Sequence, residues 1–402
     1  VSTLTTTTTM SAAMKEYYDR QLLYSARPAM VAEQFADKSV DIPLHEGQTI
    51  NFQRYVPLEV IEDTIAEGED PDYVELEVVR LAATLAKYGT SVRMTEELDL
   101  TSFCQPLANR VKELGFNLGQ SVNRLYRKAM AMGMYPMRVD ADSTYEQHVT
   151  STGSPTTTTI ASSTLTQDDH FWVDGTIVFT SGQNKGLSGH VTAFTASSDT
   201  VTFTPALNEA CDAGDTFKIV TSTGITSADV VTASAVEKAV AFLKSQNAPK
   251  YDGQYYIGIM SPFVQYDFMQ DSAWINASHY GAPEQLFKGE VGRWGGVRWI
   301  EDTEMWTETA ADGTAYNSHD IGIGKYVANG AVTHTPIFGK YCYAGIRLES
   351  VPDKLIVKIP GPNDTSNPIN AWSVASWRIY FVAKVLNSLF GVSLISGATS
   401  IT

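Results

Sequence analysis

The sequence predicts an α+β chain organised around one long helix. Three observations carry that prediction. Apolar residues recur at steps of three and four through 103–134. Strand and helix signals alternate in the centre of the chain, and antiparallel strands close it. A run of short β segments, 171–220, lies between two Thr/Ser-rich stretches, which marks an inserted all-β module.

Taken in order, residues 1–9 are threonine-rich, with neither a basic nor an apolar region of signal-peptide type, and read as a disordered or processed arm. Residues 12–37 carry a helical rhythm broken at Pro28, hence two short pieces around a bend. From residue 47 to 58 the period changes to two. Ile50, Phe52 and Arg54 point one way and Asn51 and Gln53 the other, as on a two-faced strand. The most biased charge run follows: Glu59, Glu62, Asp63, Glu67, Glu69, Asp70, Asp72, Glu75 and Glu77, with no lysine or arginine among them. Gly68 and Pro71 bend it, and a return strand is expected over 74–88, ended by Gly89. A charge run alone reads as a solvated loop. Two long flanking strands make it the tip of a projecting hairpin arm, which needs another surface to lie on.

The helix over 103–134 has an apolar stripe of Leu107, Val111, Leu114, Leu118, Val122, Leu125, Ala129 and Met132. Thr101 and Ser102 can cap it, and Pro106 suits its first turn. Arg110, Arg124 and Lys128 lie beside the stripe, while Lys112 and Arg127 are expected to face outward. Gly115 and Gly119, one turn apart, would admit another backbone. Residues 134–145 read as irregular, and 151–166 as a linker too polar to build a core. After the β module, a helix is expected over 228–245 behind a Ser227 cap, then a buried strand at 255–260. Ser261 and Pro262 start another helix. A strand at 297–300, a hairpin turn at Asn329–Gly330, a strand at 354–359 and a loop at 360–368 follow. Residues 372–395 read as a hairpin of two long strands turning near Asn387 and Ser388.

Composition narrows the function. The chain has 402 residues, enough for two or three domains, and a net charge of −16. That charge argues against broad nucleic-acid binding, which needs basic residues to displace counterions from phosphate. Cys104, Cys211 and Cys342 are odd in number and far apart, and read as buried free thiols. No run of eighteen apolar residues is present, so no membrane span is expected. The search for chemistry returns nothing. "GIGK" at 322–325 lacks the P-loop spacing, and "GEVGRWGG" at 289–296 reads as a tight turn. The histidines form no metal-ligand pair. Asp168, Asp169 and His170 read as a solvated turn, and no nucleophile elbow exists. No catalytic residue, cofactor or metal is expected.

Several blocks carry a resemblance: "YYDRQLLYSARPAMVAEQF", "GQTINFQRYVPL", "TEELDL", "NAPKYDGQYYIGIMSPFVQYDF", "LFKGEVGRWGGVRWIEDTE" and "WSVASWRIYFVAKVLNSLFGVSLI". As a set and in order they resemble the major capsid proteins of tailed bacteriophages of the N4-like podovirus type, which have the Hong Kong 97-type shell fold. The resemblance implies an N-terminal arm (1–38), an extended hairpin E-loop (39–100) and a peripheral domain on the spine helix (101–150). It further implies an axial domain (226–349) and C-terminal strands completing the peripheral domain (350–402). The inserted all-β domain (151–225) departs from the shortest members. The implied function is a non-catalytic shell subunit of the virion, assembled in the host bacterial cytoplasm. Its partners would be copies of itself in hexamers and pentamers, a portal, cement or decoration proteins, and packaged double-stranded DNA held only weakly. The expected subunit interface pairs the acidic tip (Glu62, Asp63, Glu67, Glu69, Asp70) with the basic flank (Arg110, Arg124, Lys128) of a neighbour. The competing expectation is a surface or extracellular binding protein that recognises its target through the Thr-rich module.

Overall fold

The computed structural model describes residues 31–37, 47–55, 64, 70, 73, 78–95, 97–98, 106–226, 228–271, 292–303, 307–309, 331–348, 354–358 and 371–398. The expected pieces at 12–30, the Thr101 and Ser102 caps, Cys104, Ser227, the Asn329–Gly330 turn and the 360–368 loop lie outside them.

Along the chain come β1 (Thr49–Tyr55), β2 (Val78–Thr84), β3 (Ala86–Thr95), helix α1 (Pro106–Gly133), β4 (Tyr135–Arg138) and β5 (Glu146–Thr150). Next are β6 (Thr159–Ala161), β7 (Thr176–Phe179), β8 (Ser188–Thr195), β9 (Thr200–Thr204) and β10 (Thr216–Val220). Helix α2 (Ala233–Ser245), β11 (Tyr256–Met260), helix α3 (Pro262–Met269), β12 (Arg293–Trp294), β13 (Val297–Glu301) and β14 (Thr307–Thr309) follow. The chain closes with β15 (Ala331–Phe338), β16 (Tyr343–Arg347), β17 (Lys354–Lys358), β18 (Trp372–Val385) and β19 (Gly391–Ser396). Few helices and many strands make a mixed α/β fold in two compact units.

The first unit comprises 1–49, 84–129 and 343–384. Its sheet is β16-β18-β17, with β3 also paired to β18. Ten residues of β3, Ala86 to Thr95, run antiparallel to β18. The strand therefore passes through Gly89 instead of ending there. Gly89 is needed for closeness, since a Cβ at that position would meet the Trp377 carbonyl. Helix α1 buries Val111, Leu114, Leu118, Val122 and Tyr126. Its stripe drifts from the expected one: Leu125, Ala129 and Met132 are only partly buried, and Tyr126 and Met130 take their place. Gly115 and Gly119 are buried.

Arg127 corrects the sequence reading. It is 1% exposed, not outward. A distant segment lies on the same helix: Ala32 donates its N–H to Asn123 Oδ1 at 3.0 Å, and Tyr343 Oη donates to the Ala32 carbonyl at 2.6 Å. The short turn Ala32–Phe35 thus lies over the polar flank of α1 one turn before Arg127. Lys112 is exposed as expected.

The second unit comprises 50–83, 130–342 and 385–402. Its seven-stranded sheet runs β12-β13-β11-β15-β19-β4, with β14 on β15. Strand β4 sits where irregular chain was expected, because Tyr135–Arg138 pairs in parallel with Val392–Ile395, strands far apart in sequence. Strands β18 and β19 do not form the expected hairpin, for they belong to different sheets. The turn does fall at Asn387, whose side chain accepts from Leu389 N–H at 3.1 Å. Leu386 and Asn387 both donate their N–H to the Cys342 carbonyl, which redirects the chain. Helix α2 starts at Ala233 behind Thr232, whose hydroxyl accepts from Ala235 N–H at 3.3 Å. Ser261 and Pro262 start α3 as predicted. Strands β12 and β13 are joined by Gly295 and Gly296, both at positive φ, the tight turn read from "GEVGRWGG".

The same unit holds an antiparallel six-stranded sheet, β5-β10-β7-β8-β9-β6. Its core is Trp172, Ile177, Phe179, Val191, Phe194, Val201, Phe203, Phe217 and Ile219, each at most 2% exposed. Burying one such phenylalanine contributes about 1.5–3 kcal/mol. Residues 151–166 belong to it, against the linker expectation: β6 adds an edge strand, and Ile160 and Leu165 are buried. The hydroxyls that made this stretch look too polar bond locally. Thr156 Oγ1 lies 2.7 Å from Thr159 Oγ1, and Ser162 Oγ donates to the Thr150 carbonyl at 2.7 Å.

Candidate functional site

Strands β1 and β2 form a two-stranded sheet of their own. Burial alternates along β1 as the sequence reading expected, with Ile50, Phe52 and Arg54 on the more covered face and Asn51, Gln53 and Tyr55 exposed. Strand β2 buries Val79 and Ala83 and partly covers Leu81. At the base, Leu85 donates its N–H to the Gln48 carbonyl at 2.8 Å, and the Thr49 and Thr84 hydroxyls lie 3.1 Å apart. Of the expected acidic tip, Asp70 is exposed, while Glu62, Asp63, Glu67 and Glu69 lie outside the described residues.

The inner face of this small sheet is seated on the six-stranded module. Val79 is part of the module's apolar cluster, with Leu81 packed against it. The Arg54 guanidinium donates to the Lys185 carbonyl, and the Asn208 amide donates to the Arg80 carbonyl. Burial pulls the Arg54 pKa down. Gly186 sits at φ +78, and a Cβ there would run into the Arg54 guanidinium. Period-two alternation was the available signal for Val79 and Leu81. Nothing local pointed to the surface they meet.

Arg110, Arg124 and Lys128 lie on α1, each partly buried. Arg110 Nη1 makes no hydrogen bond. Arg124 and Lys128 both interact within the chain. Asp168, Asp169 and His170 form an exposed turn, with Asp169 Oδ1 accepting from Ala196 N–H at 2.7 Å.

At the root of the module, β4 meets β5 and β10 in a buried polar cluster that the sequence reading missed. Arg138 is 3% exposed and donates to the Thr221 and Thr223 carbonyls at 2.6 and 2.7 Å. Its other nitrogens bond the Asp140 carboxylate at 2.9 and 2.6 Å. Glu146 accepts from the Arg138 N–H at 3.1 Å and pairs with Lys218 Nζ at 2.7 Å. Lys218 is 1% exposed and lies 4.1 Å from the Tyr135 ring centroid. Burial lowers the Lys218 pKa against the pull of Glu146. Burial, then the Lys218 charge, lowers that of His148. Tyr135 in turn stacks on Phe242 of α2, with ring centroids 4.1 Å apart.

Cys211 and Cys342 are buried free thiols, as expected. Burial pushes the Cys211 thiol up to about 11, which leaves it almost entirely protonated and inert near neutrality. Among the described residues no cluster of histidine, cysteine or carboxylate could hold a metal. Among them, too, no helix is long and apolar enough to cross a membrane.

The profile of a family described as phage capsid protein matches residues 138–339. In three dimensions the chain is similar to the capsid asymmetric unit of cyanophage Pam1, at 12% identity and a TM-score of 0.53, with 93% of each chain covered. It is also similar to the acidic-stable capsid of Helicobacter pylori bacteriophage KHP30, at 9% identity and a TM-score of 0.50. That match covers 89% of this chain and 87% of the other. At these identities the likeness shows a shared fold. No curated protein matches the chain in sequence.

Proposed function

The chain belongs to the phage capsid protein family, and from that premise we propose that it is the major shell subunit of a tailed phage head. Its role is structural, not enzymatic. The observation that carries the reading is the family match over 138–339, which takes in the module, α2, α3 and most of the seven-stranded sheet. In this reading the fold is of the Hong Kong 97 type. Helix α1 with the four-stranded sheet serves as the peripheral domain, the seven-stranded sheet with α2 and α3 as the axial domain, and β1–β2 as the E-loop. Subunits assemble in the host cytoplasm into hexamers and pentamers around double-stranded DNA, with a portal and any cement proteins added to them. The net charge of −16 suits an inner wall that must not hold packaged DNA tightly.

The contact between neighbours is the acidic arm tip, residues 59–77, on the basic flank of α1. Arg110, Arg124 and Lys128, each partly buried on α1, would supply its cations. Exposed pairs contribute only about 0–1 kcal/mol each, but a shell repeats the contact at every subunit. The test is assembly of the Arg110→Glu, Arg124→Glu double variant across a salt series. Weaker assembly with a flattened salt dependence supports the pairing. Assembly and salt dependence like those of the parent chain rule it out.

A further inference from the structure

We propose that the six-stranded module is an internal strut: it is locked to the seven-stranded sheet at its root and seats the β1–β2 arm of its own chain before any neighbour is met. The proposal rests on the shell-subunit reading and adds a task for the inserted module, which that reading leaves without one.

A two-stranded sheet is marginal in water by itself, so something must cover its apolar face. In this chain the cover is in place. Val79 and Leu81 join the cluster built from Ile160, Phe179, Phe203 and Phe217. Two side chains then fix the register from opposite directions. Arg54 of the arm reaches the Lys185 carbonyl of the module, and Asn208 of the module reaches the Arg80 carbonyl of the arm. Gly186 keeps the space for Arg54 open. The module is tied down in turn. Arg138 of β4 holds the Thr221 and Thr223 carbonyls, where the chain leaves the module, and the backbone N–H of Arg138 bonds Glu146, where it enters. Lys218 of β10 closes the cluster through Glu146 and the Tyr135 ring. An unbroken set of contacts thus runs from the seven-stranded sheet through the module to the arm. Because the apolar face is covered within the chain, a neighbouring subunit meets the outer face and the acidic tip. The partner surface is polar and basic, and the arm approaches it already ordered.

Hydrogen exchange on the full-length chain, kept unassembled at low concentration, tests this. The amides of β1 and β2 should exchange at least tenfold more slowly than unstructured peptide in the free subunit. The Val79→Asp, Leu81→Asp variant should lose that protection while amides of β7, β8 and β9 keep theirs. Should those substitutions disturb the module as well, the Arg54→Ala, Asn208→Ala variant removes only the polar ties and should lower arm protection alone. An arm that exchanges freely in the parent subunit, beside a protected module, overturns the strut and means that a neighbour seats the arm. Undiminished arm protection in both variants overturns it equally. Particle formation by the parent chain is scored separately. Shells formed from subunits with a freely exchanging arm refute the strut and leave the shell reading intact, whereas a protected arm without shells refutes the shell reading alone.

Discussion

Arg138 shows how one side chain can tie a six-stranded sheet to its neighbour. Its guanidinium is fully covered and faces two carbonyls and one carboxylate. Arginine fits because its planar fork serves several acceptors at once. Arg138→Ala would leave the Thr221 and Thr223 carbonyls without their guanidinium donor and Asp140 without its counter-charge. The expected cost is about 3 kcal/mol, read as a lower urea midpoint. Arg138→Lys keeps the charge but not the fork, and should recover only part of the loss. An unchanged midpoint for Arg138→Ala would mean that the clamp adds nothing to stability. Nothing local signalled this role, because Arg138 lay in a stretch without apolar period, and the two carbonyls it holds are more than eighty residues away.

At the scale of elements, α1 was legible because its signal is local: one apolar stripe at helical spacing. What meets its polar flank was not, since Asn123 is bonded by a segment ninety residues upstream. The strand β6 was hidden for another reason: its polar composition masks a buried Ile160, while Thr159 bonds locally to Thr156. Pairing partners were the hardest to read. A period of two says which face of β18 or β2 is apolar, but not that β18 leaves β19 for another sheet or that β2 lies on the module. Packing of α1 on its sheet offers a direct check. A Cβ added at Gly345 of β16 would collide with the Tyr126 hydroxyl, whose ring is packed edge-on to Tyr343 and Phe381. Gly345→Ala should therefore cost about 1–3 kcal/mol, measured by urea denaturation. No loss of stability would show that α1 can shift off the sheet at little cost.

For the whole molecule, charge and architecture point the same way. A subunit carrying −16 repels its copies, so assembly needs favourable contacts and responds to salt. The candidate interface was only partly legible in the sequence. The acidic run stood out by composition, and the basic flank by its helical spacing. Where the arm rests did not, because the apolar surface beneath β2 is built by residues 149–219 folded on themselves. A shell subunit of this kind closes into a shell by itself or with a portal, and electron microscopy of the purified chain at high concentration reads that outcome. Uniform icosahedral particles are expected, or hexamers and pentamers at lower concentration. A chain that stays monomeric at every concentration and salt would be no shell subunit.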